Sequence, residues 1–185
     1  MRVLPFACVA MLMALPAAAA NWSVDYGHSK LGFSVPWGGQ PYIATFQKWT
    51  AKIDFDPADL PHAKADVTID MTSAVSGEED LDQNLPGPEG FDAGHFPQAR
   101  FVTKTFRSTG NGQYEAIADL TLHGVTRELT LPFTLKIDGE HAHMTGAVTL
   151  IRTDFGVGTG KGWAGETPVA HAVKVTVDLS ATKAR

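Results

Sequence analysis

In the stretch TLHGVTRELTLPFTLKIDG, residues 121–139, apolar side chains fall on every second position: Leu129, Leu131, Phe133, Leu135 and Ile137. Glu128, Thr130, Pro132, Thr134 and Lys136 stand between them. Alternate residues of an extended chain point to opposite faces, so a period of two writes a strand with one dry and one wet side. A dry face has to be covered, and this requirement governs what the chain can fold into.

The pattern recurs along most of the chain. KLGFSVPW, residues 30–37, alternates through Leu31, Phe33 and Val35 and ends at Gly38-Gly39. Ala44 and Phe46 share one phase, whereas Trp49, Ala51, Ile53 and Phe55 share the other; the change of phase predicts a bulge or sharp bend. Ala65, Val67, Ile69 and Met71 alternate with Asp66, Thr68 and Asp70. Further strands are predicted over residues 101–106, 114–122, 125–137, 144–151 and 171–179. Gly110-Asn111-Gly112 and Asp138-Gly139 mark hairpins. One region breaks the rhythm. In SGEEDLDQNLPGPEGFDAGHFPQ, Ser76 is placed to cap a short helix with Glu78, Glu79 and Asp80 in its first turn, stopped by Pro86 and Pro88.

Short strands joined by tight turns predict an all-β, antiparallel, eight-stranded barrel with a helical excursion around residues 76–95. The immunoglobulin-type sandwich is the rival, but it usually carries a cysteine pair around a buried tryptophan. Here the single cysteine is Cys8. It lies in MRVLPFACVAMLMALPAAAA, residues 1–20, whose Arg2, short apolar run and Ala18-Ala19-Ala20 read as a cleavable signal peptide. The expected product is one exported domain, residues 21–185, without disulfides. Its stability then rests on packing and backbone pairing, which a closed sheet with no free edge supplies. The formal charge is −5, one unit more negative without Arg2. That balance argues against nucleic acid or electrostatic adsorption to an anionic membrane.

Candidate chemical motifs fail one by one. Gly160, Gly162 and Gly165 have dinucleotide-fingerprint spacing but are followed by β sequence, not the helix whose N-terminus would face a pyrophosphate. Asp80, Asp82 and Asn84 imitate the start of a calcium loop, yet Leu85 stands where glycine is needed and Phe91 where glutamate should close the cage. His141 and His143 share a strand face, a spacing suited to a transition metal, without a third ligand fixed by sequence. His28 and Ser29 point to opposite faces of a strand, and there is no G-x-S-x-G elbow. No catalytic residue, metal site or cofactor is expected. What remains is apolar volume: Phe33, Val35, Phe46, Ile53, Phe55, Val67, Ile69, Leu120, Leu122, Leu129, Leu131, Phe133, Leu135, Val148 and Leu150 form the expected inner wall. Alternation alone favours a filled core, since most sheets bury their dry face against their own side chains.

Five segments together carry a resemblance: WSVDYGHSKLGFSV, FDP at residues 55–57, DLDQNL followed by FDAGHFPQARF, ADLTLHGVTRELTLPF, and IRTDFGVG. In this order and spacing they resemble the YceI-like family of exported, lipocalin-like proteins. The resemblance implies an elongated apolar tunnel inside the barrel. It also implies binding of a long-chain isoprenoid amphiphile, such as an isoprenoid quinone or polyprenyl phosphate, in the periplasm, for transport, storage or sequestration. On that reading the wall residues named above line the tunnel, and His28, Asp80, His123, Arg152 and Asp154 are candidate head-group or barrel-end polar residues. The implied partner is the lipid, with a transient membrane encounter and a homodimer as further candidates. The alternatives are a metal- or quinone-dependent periplasmic enzyme and a stress-induced structural protein with an incidental cavity.

Overall fold

The computed structural model describes residues 20–160 and 162–184, and for residues 80 and 81 the backbone alone. The leader reading of residues 1–19 and Lys161 of the glycine cluster lie outside them. Eleven strand segments follow one another: β1 (Asn21–Val24), β2 (Lys30–Trp37), β3 (Gln40–Phe46), β4 (Trp49–Asp54), β5 (Lys64–Asp70), β6 (Ala74–Val75), β7 (Gln98–Gly110), β8 (Gln113–Leu122), β9 (Val125–Asp138), β10 (His141–Ile151) and β11 (Ala172–Lys183). The only α-helix among the described residues is α1 (Glu79–Asn84); single 3-10 turns occupy Leu60–His62, Met71–Ser73 and Arg152–Phe155.

All pairings are antiparallel, in the order β1-β4-β5-β7-β8-β9-β10-β11-β2-β3-β6, and β1 also pairs with β11 to close the ring. Three strand positions are interrupted. Both β1 and β2 lie between β11 and the β3/β4 chain, either side of a turn at residues 25–29. The β3 and β4 segments are separated by a bend at residues 47–48, where the apolar phase switches from Phe46 to Trp49. Likewise β6 continues β5 beyond the Met71–Ser73 turn and pairs with β3. Counted by position, the barrel is closed, antiparallel and eight-stranded, as the alternation predicts.

The turns do what their residues allow. His123 and Gly124 have φ of 51° and 74°, the left-handed pair of a type I′ turn joining β8 to β9. Gly38 and Gly39, at 57° and 81°, do the same between β2 and β3. Helix α1 starts at Glu79, later than the capping pattern suggests, because Ser76 is used differently. Its hydroxyl accepts from the Glu78 amide at 3.1 Å and donates to the Asp82 carboxylate at 2.6 Å, folding the helix back on its own approach.

Two apolar clusters divide the interior. At one end Trp22, Phe55, Phe106 and Phe133 are buried together, with Phe55 edge-on to Phe106 at a centroid distance of 5.0 Å and to Tyr114 at 5.4 Å. The Trp22 indole donates to the Phe55 carbonyl at 2.8 Å. Edge-to-face stacking fills that end with rings and leaves no buried donor unpaired. The opposite end is roofed by the 76–97 excursion and the 152–171 loop through Leu85, Phe91, Phe155, Val157 and Val169, all buried.

Candidate functional site

Between these ends runs a cavity of about 230 Å³, lined by side chains from both clusters. Along β9, β10 and β11 the outward residues are mostly exposed. The inward Leu129, Leu131, Val148, Leu150, Val173, Val175 and Val177 are only half-buried. An inward apolar side chain that still has accessible surface faces a void; in a filled core it would touch neighbours on every side. The interior is therefore a tunnel-like space, contrary to what alternation alone favours.

Every wall residue expected from the sequence lines this space except Phe55 and Leu135. Both alternate inward but lie too near the closed end: Phe55 is buried in the aromatic plug and Leu135 packs against it. The wall also includes residues the expected set omits. Val173, Val175 and Val177 carry the same alternation and were legible. So does Trp37, which continues the phase of Leu31, Phe33 and Val35 on β2. By contrast Phe91, Val157 and Trp163 come from the rim, where no periodicity marks them.

The lining is almost wholly apolar; Thr103 and Arg152 are its most polar side chains. The Thr103 hydroxyl is committed to the Ala65 backbone, accepting its N–H at 2.7 Å and donating to its carbonyl at 3.2 Å. Arg152 is 5% exposed, and its donors all meet main-chain carbonyls: Nε on Ala170 at 3.0 Å, Nη1 on Val157 and Gly158 at 3.0 and 2.6 Å, Nη2 on Trp163, Gly165 at 3.1 Å and Val169 at 2.9 Å. Burial pushes the guanidinium below its usual range, with Glu166 acting in the other direction. Six carbonyls from one loop converge on one cation, so Arg152 fastens the 152–171 loop over the barrel end. With its donors saturated it has none left for a head group.

The other polar candidates are barrel-end or outer-wall residues. The His123 ring lies 4.3 Å from that of Phe96, tying the β8–β9 turn to the excursion. Asp154 is exposed, and its carbonyl accepts from Arg127 Nε at 3.4 Å. His28 sits on the outer turn between β1 and β2 and contacts Asp25 at 2.8 Å. Asp80 lies in α1, its side chain outside the described set. Its neighbour Asp82 does the work at this rim, bonding the Ser76 amide at 2.8 Å, the Gly77 amide at 3.1 Å and the hydroxyl of wall residue Tyr42 at 3.5 Å. Burial would raise the Asp82 carboxyl, but these donors together, the Ser76 hydroxyl and amide foremost, hold it below the usual carboxylate range. His141 and His143 project from the outer face of β10, and His143 bonds Asp178 at 2.8 Å. Among the described residues no three His, Cys, Asp or Glu are placed to share a metal ion.

The architecture has known counterparts. The crystal structure of BcnA from Burkholderia cenocepacia superimposes with a TM-score of 0.83 at 31% identity, covering 86% of this chain and 100% of that one. A polyisoprenoid binding domain from Saccharophagus degradans shares the fold at 14% identity, with a TM-score of 0.69 over 91% of this chain and 100% of that one. A UPF0312 protein of Vibrio campbellii is 30% identical over 158 residues, 80% of this chain and 84% of its own length. The family model described as the YceI-like domain matches residues 22–181, nearly the whole described barrel, and the chain belongs to that family.

Proposed function

We propose that the barrel is a binding protein for a long-chain isoprenoid amphiphile, held with its tail in the central cavity and its head at the rim. The observation that carries this reading is the apolar lumen itself: inward side chains from nearly every strand keep accessible surface, and the polar atoms of Thr103 and Arg152 are committed to backbone. Such a space suits hydrocarbon and little else. The fold shared with a polyisoprenoid binding domain supports the choice of tail.

Burying one isoprene unit of five carbons is worth roughly 4 kcal/mol, at about 0.8 kcal/mol per carbon group. A bilayer offers the same tail an equally apolar home, so this gain nearly cancels in exchange with a membrane. Selectivity then falls to tail length against cavity length and to the rim. There the indoles of Trp37 and Trp163 line the cavity and stack edge-on at 5.0 Å. Neither indole N–H has a hydrogen-bond partner within the described residues, so both are free to meet a polar head. With an N-terminal leader as its export signal, the protein would act in the periplasm as a carrier or a store.

The test is an organic extract of protein purified from its native host, analysed by mass spectrometry. An isoprenoid lipid in near-stoichiometric amount is the expected result. Protein that carries no lipid, and takes none up from vesicles containing polyprenols, overturns the proposal.

A further inference from the structure

One end of the cavity is filled by the Phe55–Phe106–Phe133 plug, and the other is covered by the 76–97 excursion and the loop knotted around Arg152. The barrel wall, however, is not continuously bonded. From Asp138 back to Phe133, β9 pairs with β10 in unbroken register, and there the pairing stops, although β9 runs on to Val125 and β10 to Ile151. The residue at the break is Pro132. Leu135 N donates to Gly112 on the β8 side, so alternation turns the backbone of residue 132 toward β10. Its carbonyl does face that way, lying 3.0 Å from where a Cβ on Gly146 would sit. A prolyl nitrogen has no hydrogen to donate, and the ladder ends where it would be needed.

The result is a seam along the rim half of the barrel, with β9 held only by β8 and β10 only by β11. Its inner lips are Leu129 and Leu131 on one side and Val148 and Leu150 on the other, all lining the cavity and all half-buried. Among the described residues one side-chain hydrogen bond spans it, Arg127 to the Asp154 carbonyl at its upper end. The pairing is interrupted elsewhere too, between β6 and β7, where the 76–97 excursion packs, and between the β1–β2 turn and β4, which is sealed by contrast. There the Tyr26 ring stacks edge-on against Trp49 at 5.0 Å, and its hydroxyl accepts the Ala51 N–H at 3.1 Å.

We infer that an isoprenoid tail passes into the cavity sideways, between β9 and β10, with the roof staying in place. This rests on the reading of the cavity as a lipid site. The comparison of costs favours it. Lifting the roof breaks the bonds that seat it on the β2–β3 hairpin, from Gly38 N–H to the Pro168 carbonyl at 2.7 Å, from Ala170 N–H to that of Pro36 at 3.0 Å and from the Tyr42 hydroxyl to Asp82 at 3.5 Å. Parting the seam breaks no paired ladder and only separates aliphatic side chains that the tail itself replaces.

Thr130 and Thr149 are exposed on the two lips and fall opposite each other if the β9–β10 register is carried three residues past Phe133–Gly146. A Thr130→Cys/Thr149→Cys pair, joined as a disulfide or with a short bismaleimide, locks the seam. Thr134→Cys/Thr145→Cys, already paired in the closed half, is the control. The readout is the rate at which dansyl-labelled geranylgeraniol moves from phosphatidylcholine vesicles into the protein. The seam-locked protein should load about ten-fold slower, with reduction of the disulfide restoring the rate and the control loading like the parent. Pro132→Val, which supplies the missing N–H, should slow loading in the same direction without any cross-link. Equal rates for seam-locked and control proteins, with Pro132→Val unchanged, place the passage elsewhere and overturn the inference. Protein that loads no probe in any form overturns the cavity reading and the seam with it.

Discussion

Arg152 shows how a residue's chemistry can be legible while its role is not. The sequence motif places a cation near the barrel end, and a cation there invites a head-group reading; what the sequence hides is that six carbonyls are folded around it. Its substitution should therefore act on stability before it acts on binding. Arg152→Met leaves those carbonyls without donors and should cost about 3 kcal/mol or more in urea denaturation. Arg152→Lys should recover little of this, because a compact ammonium with three donors cannot span acceptors set out for a planar fork. Asp82 is the acidic counterpart. Its carboxyl is held below the usual range, so the folded chain binds this proton less readily than the unfolded one. The associated stability is present above the unfolded value of about 4 and is lost as pH falls through the lowered folded value. The difference in thermal midpoint between the parent and Asp82→Asn should accordingly be largest near neutrality and shrink on acidification below that range.

At the scale of elements, strands announce themselves by alternation and loops do not. The long run from Leu129 to Ile137 lies inside β9, and the phase change after Phe46 marks a real bend. Strand β1, only four residues long, carries too little pattern to be read, although its Trp22 helps close the ring. The same limit explains Phe55 and Leu135. Alternation tells which face a side chain takes but not its height along the barrel axis, and height separates the lumen from the plug. Rim residues such as Phe91 and Trp163 are placed by turns and by the Arg152 knot, interactions that leave no period in the sequence. One element-level contact can be tested directly. Tyr26→Phe removes the acceptor for the Ala51 N–H at the β1–β2 break while keeping the ring on Trp49. A loss of about 1 kcal/mol in urea denaturation is expected.

For the molecule as a whole, the barrel keeps space where a comparable sheet would pack itself solid. Filling that space should separate binding from folding. Leu131→Trp sends an indole into the cavity from the middle of β9. It should change stability by less than the roughly 1–3 kcal/mol typical of overpacking, because the ring enters a void. Lipid recovered from the purified variant should nevertheless fall several-fold, as measured by mass spectrometry of an organic extract.

The bonds that tie Thr103 and Arg152 to the backbone have a consequence for the solvent. Apart from its tryptophan and tyrosine groups, the lumen gives a water molecule nothing to hold on to, and cavities walled in this way stay dry. An incoming hydrocarbon then evicts no ordered water and gains dispersion contacts with walls that previously faced vacuum. Calorimetric titration with geraniol from aqueous solution should thus release heat near room temperature and show a negative heat-capacity change, the signature of an enthalpy-driven apolar association.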